Sequence, residues 1–263
     1  MGKRRTFKER IYEKRIMVAP GVYDAFSAKL VEHMGFEALY ITGAGISASL
    51  LGEPDVGLVT MTEQLTQARY IVNAVNIPVI CDADTGYGNP INVIRTVTEF
   101  EKAGVAAIHL EDQEMPKRCG HLEGKRLVSK EEMVQKIRAT IEARKSDDFV
   151  IIAHTDARSV YGLHEALERG HAYIEAGADV LFIEAPEGIG ELKKVGKVFS
   201  GTPLLLNRGG KKTPLYLSVK LKNWVLGSLS FREIYRERRA RRCLIHCRLL
   251  RRKEIRCRFR KTC

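Results

Sequence analysis

PVICDADTGYGNPINVIRTVTEFEKAGVAAIHLED, residues 78–112, holds one full repeat of a strand–helix–strand pattern. An apolar run, Pro78–Asp82, ends in carboxylates and is followed by a turn rich in glycine. Asn92–Ala103 then carries apolar residues at helical spacing, Gly104 closes it, and a second apolar run, Ala106–Glu111, ends in carboxylates again. Apolar runs this short and this continuous fit strands buried on both faces. A glycine just past the last helical residue is the usual helix C-terminal signal. The whole is a βαβ unit, which implies parallel strands and a right-handed crossover.

Outward from this unit the same pattern repeats. Further strands are predicted at Ile16–Ala19, Ala38–Thr42, Phe149–His154, Asp179–Glu184 and Pro203–Leu206, and helices at Asp24–His33, Met61–Val75, Lys130–Lys145 and Leu163–Glu175. Gly35 and Gly177 end helices as Gly104 does. Seven units before residue 207 predict an α/β protein of the (β/α)8, TIM-type barrel class, with its eighth unit and terminal helices corrupted or missing. An open doubly wound sheet is the alternative, because periodicity does not reveal closure.

The 263 residues suit one such barrel. No apolar run has the length of a membrane span and no signal peptide opens the chain, so a cytoplasmic protein with reduced cysteines and no membrane partner is expected. The net charge of +12 is unevenly spread. Residues 1–207 hold 25 Lys and Arg against 29 Asp and Glu, whereas residues 208–263 hold 19 against 3.

Polar residues stand at the C-terminal end of every predicted strand: Tyr23-Asp24, Thr42-Gly43-Ala44-Gly45, Asp82 with Asp84, Glu111-Asp112, His154-Thr155-Asp156, Glu184 and Asn207. Barrel enzymes gather their chemistry on that face. Any one of these residues can instead cap a helix, Asp24 and Asp156 in particular. Asp82 and Asp84, two apart on an extended segment, point the same way, and Glu111 joins them from the next strand. Carboxylates so close repel unless a cation neutralises them, and an all-oxygen set suits a hard dication, Mg²⁺ with Mn²⁺ as the alternative. The competing structural reading has them cap the Thr85–Gly88 loop or pair with Arg95.

Lys117-Arg118-Cys119-Gly120-His121 places a thiol beside two cations and near an imidazole, in a loop bracketed by Pro116 and Gly124. Positive charge favours a thiolate, and the composition fits a loop that closes over a ligand.

These motifs together resemble the isocitrate lyase/phosphoenolpyruvate mutase superfamily: Pro20–Ala25, Asp82–Gly88, His109–Gln113, Lys117–His121 and Thr155–Ala157, in that order, from about residue 10 to about 221. The cysteine-bearing loop is similar to that of the methylisocitrate and 2,3-dimethylmalate lyases. The resemblance implies Mg²⁺-dependent cleavage of a C–C bond in a 2-hydroxy di- or tricarboxylate, giving a 2-oxo acid (pyruvate or glyoxylate) and a dicarboxylate such as succinate. It implies Asp82, Asp84 and Glu111 around the metal and Cys119 as proton donor, with Tyr23 and His121 as further catalytic residues. Thr42, Gly43, Ala44, Asp82, Gly120, His154, Glu184 and Asn207 would bind substrate. It also implies a homo-oligomer, a homotetramer in the family, which the tail of this chain puts in question. A phosphonomutase, a carboxyphosphonoenolpyruvate mutase or an oxaloacetate-decarboxylase-like enzyme would share the carboxylates without needing Cys119. Two departures stand out: His154 replaces the family's arginine, and Arg208–Pro214 replaces its glutamate-containing segment. Histidine cannot supply the two-pronged permanent charge of arginine.

The resemblance stops near Leu221. Residues 222–263, with Arg238–Arg242 and four cysteines, lack amphipathic spacing. We read them as out-of-frame sequence appended to a 1–221 catalytic domain. Joining each codon's last base to the next two from Lys222 forces Leu-Gly and permits an apolar strand after it. A basic arm binding nucleic acid on a degenerate barrel is the competing reading, and a Cys243/His246/Cys247/Cys257 metal knuckle fits no usual zinc spacing. Without an eighth strand, the chain as written is expected to be unstable or weakly active.

Overall fold

Seven parallel strands stand side by side in strict chain order in the computed structural model, which describes residues 2–13, 16–120 and 122–207. They are β1 (Gly21–Val22), β2 (Leu39–Ile41), β3 (Val79–Asp82), β4 (Ala107–Glu111), β5 (Val150–Thr155), β6 (Val180–Ile183) and β7 (Leu204–Leu205). Each pairs only with its sequence neighbours, so the order never reverses. A doubly wound sheet needs such a reversal; the barrel-type reading holds, with seven strands among the described residues. The tail at 222–263 and the Arg208–Pro214 departure lie outside the described residues.

Helices α1 (Lys3–Ile11), α2 (Ala25–His33), α3 (Gly43–Leu50), α4 (Met61–Ala74), α5 (Pro90–Lys102), α6 (Lys130–Ala143), α7 (Ala157–Val160), α8 (Leu163–Glu175) and α9 (Gly188–Val198) connect or flank the strands. Their starts are set locally. Asp24 and Thr60 form reciprocal capping boxes with Ser27 and Glu63, and Asn89 caps α5 with Pro90 at its first position. Asp24 is therefore a cap. Asp156 is not: its side chain makes no cap hydrogen bond.

The first strand corrects the sequence expectation. Ile16–Ala19 leads into the sheet, and the strand itself is Gly21–Val22. Pairing begins where Tyr40 donates to the Pro20 carbonyl at 2.9 Å, because Pro20 offers an acceptor but no N–H. Helices α3, α7 and α9 are too short or too glycine-rich to carry a clear periodicity.

Two apolar cores follow from the period-2 alternation of the strands. One, with Phe100, Ile108, Phe149, Ile151 and Leu181, fills the space between sheet and helices. The other, with Tyr40, Ile80, Ile152, Val180 and Phe182, fills the concave side. Phe7 and Ile11, four apart on α1, join this inner core. Lys3 and Arg4 anchor the helix on the carbonyls of Val75 (2.5 Å) and Val105 (2.9 Å), just ahead of β3 and β4. Helix α1 thus plugs the N-terminal end, leaving the C-terminal end for chemistry.

Candidate active site

Register decides which side chains meet. Ile80 pairs with Ala107, Asp82 with His109, Glu111 with His154, and His154 with Phe182. With two-residue alternation, Asp82, His109, Glu111, His154 and Glu184 all face the concave side at its C-terminal end. They line one pocket with Thr42 and Asn207, closed over by Lys117, Cys119 and Gly120.

The carboxylates are held by specific donors. Asp82 accepts from the backbone N–H of Gly43 at 3.2 Å and of Asp84 at 3.0 Å, and its Oδ1 lies 3.4 Å from His109 Nε2. Gly43 is required there: a Cβ would come within 2.8 Å of Asp82 Oδ2. Asp84 turns the chain sharply at φ 48°, a conformation aspartate tolerates better than most residues. Its partner is Lys117, whose ammonium lies 2.5 Å from both Asp84 and Asp55, not Arg95.

Burial shifts the pKa values of this cluster unevenly. It pushes Asp84 up to about 7, with the neighbouring Asp82 and Asp55 adding to the rise and Lys117 opposing it. Burial also carries Glu111 well above the carboxylate range. At Asp82 burial is outweighed by His109, Lys117 and the two backbone N–H groups, leaving it low. Burial and the Asp156 charge bring Glu184 to about 7.

The loop bearing the thiol is tied down from several sides. The Cys119 N–H donates to the Asp55 carbonyl at 2.9 Å. Gln113 uses both ends of its amide, accepting from Arg118 N at 2.8 Å and donating to the Arg118 carbonyl at 2.8 Å and to Asp156 at 2.7 Å. Lys125 pairs with Asp156 at 2.8 Å and donates to the Gly120 carbonyl. Gly120 packs against Glu184 so closely that a Cβ would sit 2.8 Å from its Cγ. The two cations that precede Cys119 in sequence have other partners in space: Lys117 takes carboxylates, and Arg118 donates to the Glu123 carbonyl at 3.2 Å.

Most of the residues predicted from sequence converge here. Tyr23 does not line the pocket: it is half-buried beside Gly45 of α3. Thr42 caps α3, accepting from Gly45 N at 3.3 Å, and the Gly43 N–H is directed to Asp82; neither Gly43 nor Ala44 lines the pocket. His121 lies outside the described residues. Asp55, His109 and Tyr40 line the pocket without having been singled out. The His109–Gln113 motif and the Lys117 cation carried some of that signal. Asp55 carried none, standing in a turn far from any strand end.

One donor atom each from His109, Glu111 and His154 lies within 4.8 Å of the other two, so this cluster can hold a metal ion. Glu111 Oε1 is buried without a hydrogen-bond partner. Converging carboxylates and imidazoles at the C-terminal ends of parallel strands, under a tethered thiol loop, mark the active site of a barrel-type enzyme with donors able to hold a metal ion. The chain belongs to the phosphoenolpyruvate phosphomutase family, whose model matches residues 7–222.

It is 54% identical over 215 residues to the 2,3-dimethylmalate lyase of Eubacterium barkeri, covering 82% of this chain and 74% of that one. It is 52% identical over 200 residues to the 2-methylisocitrate lyase of Aeropyrum pernix, covering 76% of this chain and 64% of that one. The crystal structure of a 2,3-dimethylmalate lyase, a PEP mutase/isocitrate lyase superfamily member, superimposes with a TM-score of 0.88 at 38% identity, over 94% of this chain and 84% of that one. No helix among the described residues is long and apolar enough to cross a membrane.

Proposed function

We propose that this chain cleaves the C–C bond of a 2-hydroxy di- or tricarboxylate of the methylisocitrate or dimethylmalate kind. The observation that carries this reading is the buried Cys119 thiol on the pocket wall shared with Asp82, Glu111 and Glu184. Its relatives that act as lyases point the same way.

Asp82, Asp84 and Glu111 would hold Mg²⁺: their donors are all oxygen, Glu111 Oε1 is buried without a hydrogen-bond partner, and the single Lys117 ammonium offsets only part of their charge. When bound, the ion supplies Lewis-acid polarisation of the substrate's hydroxyl and carboxylate. The remaining steps fall to the chain. Glu184, with a proton affinity poised near neutrality, accepts the hydroxyl proton. The C–O bond becomes a carbonyl as the C–C bond breaks, releasing the 2-oxo acid, and the bonding pair stays on the other fragment as an enediolate. Cys119 donates its S–H proton to that carbon. Thr42 and Asn207 would orient carboxylate oxygens, and the loop around Gly120 keeps water from the enediolate. A mutase or decarboxylase on the same barrel would use the carboxylates without the thiol.

The direct test is release of pyruvate or glyoxylate from a panel of 2-hydroxy acids. Release that disappears with a chelator and returns with Mg²⁺ is expected; turnover of phosphonates alone would refute the reading. A pH dependence follows as well. Asp84 carries a proton below about 7, and a dication binds the ionised form. Because Glu111 is also held well above the carboxylate range, dication affinity should keep climbing with pH through about 7, roughly tenfold per pH unit for each proton displaced, as measured by titration calorimetry.

A further inference from the structure

His154 stands near the end of β5, in surroundings that suit a ligand more than a hydrogen-bond donor. His154 Nδ1 lies 3.2 Å from His109 Nε2 and 3.6 Å from Glu111 Oε2. Neighbouring donors around a four-coordinate dication at the usual 2.0–2.1 Å metal–nitrogen distance stand roughly 3.4 Å apart. Both distances from His154 Nδ1 are thus already near ligand spacing, and all three donors lie within 4.8 Å of one another.

At 3.2 Å the two inner nitrogens share one proton in a hydrogen bond, which an incoming dication would displace. Tyr40 hydroxyl contacts His109 Nδ1. His154 Nε2 is buried, makes no hydrogen bond, and lies 3.8 Å from Asp156 and 3.9 Å from Glu184, the side on which carboxylates would favour its proton. For His109, Tyr40 can accept the Nδ1 proton and leave Nε2 to a metal, the usual role of an outer partner. Phe182 stacks on the His154 ring at 4.2 Å, which sets the plane of the imidazole.

We infer that His109 Nε2, His154 Nδ1 and Glu111 Oε2 form a mixed nitrogen–oxygen site for a borderline dication of the zinc and cobalt class, created by histidine at position 154. A guanidinium there would present only donors and permanent positive charge, so it would exclude such an ion. Imidazole nitrogens favour zinc-class ions, whereas the all-oxygen set of Asp82 and Asp84 favours Mg²⁺. Glu111 belongs to both sets, so the two ions compete. The inference rests on the proposed reading only in that competition; the site stands on its own geometry.

The test is titration of the full chain, stripped by chelator, with Co²⁺ in the absence of substrate, followed by ligand-field absorption. One Co²⁺ per chain with nitrogen ligation is expected, displaced by equimolar Zn²⁺ but not by equimolar Mg²⁺. His154→Gln should weaken Co²⁺ binding by at least the roughly 10–100-fold typical of losing even an outer-shell partner. His33→Gln, at an exposed position on α2, should leave it unchanged. Equal affinity in wild type and His154→Gln, or no Co²⁺ binding in wild type, overturns the site. Should His154→Gln fail to fold, the wild type still decides: Co²⁺ must shift the ring-proton resonances of two buried histidines, and shifts confined to exposed ones overturn it. None of these readouts requires turnover, so this inference and the lyase reading can fail separately.

Discussion

Replacing Cys119 by serine is expected to lower kcat for C–C cleavage by about 10²–10⁴-fold, the usual contribution of a positioned proton donor. The hydroxyl of serine is a far weaker acid than a thiol, so it cannot deliver a proton to the enediolate at a useful rate. The loop itself should stay in place, because its tethers are backbone groups and other side chains: Cys119 N–H to the Asp55 carbonyl at 2.9 Å, Gln113 to Arg118, and Lys125 to the Gly120 carbonyl. Substrate affinity should therefore change much less than kcat. Steady-state kinetics with product analysis checks both. A serine variant that kept turnover within tenfold of wild type would move the protein to the mutase or decarboxylase branch of its family.

Asp112→Ala is expected to destabilise the fold by about 3–5 kcal/mol, the usual cost of leaving one half of a buried ion pair behind. Asp112 is fully buried and accepts four hydrogen bonds: Thr155 Oγ1 at 2.7 Å, Asp156 N at 3.0 Å, Arg169 Nη1 at 3.0 Å and Tyr173 Oη at 2.8 Å. Its removal strands the Arg169 guanidinium beside the Val128 carbonyl and the half-exposed Glu165. Urea unfolding should show a lower midpoint with an unchanged slope. Activity should fall too, since Thr155 and Asp156 would lose the anchor that sets the end of β5. An alanine variant within 1 kcal/mol of wild type would mean that water enters and solvates the cluster.

Asp112 also marks the limit of reading chemistry from strand ends. It stands beside Glu111 in the sequence and is just as acidic, yet it belongs to the scaffold. Alternation separates the two: Glu111 shares its face with Asp82 and His154, while Asp112 turns outward to Arg169 of α8. Asp24 makes the same point at β1, where it caps α2 instead of facing the pocket.

The alternation of strands and helices and the inward set Asp82, Glu111, His154, Glu184 and Asn207 were legible because each depends on local periodicity, whereas the strand order that separates a barrel from a doubly wound sheet was decided by the pairing itself. A five-residue run with a polar end has only one way to bury its apolar atoms, and a two-residue repeat fixes which side chains share a face. The sequence also supplied the thiol loop. It could not show that Lys117 lies between Asp55 and Asp84, or that His154 and His109 bring two nitrogens to 3.2 Å. Those pairings join residues 33 to 62 positions apart. They exist only once neighbouring strands fix their register and the loop after β4 folds back over them, where burial makes an unpaired charge costly enough to select its partner.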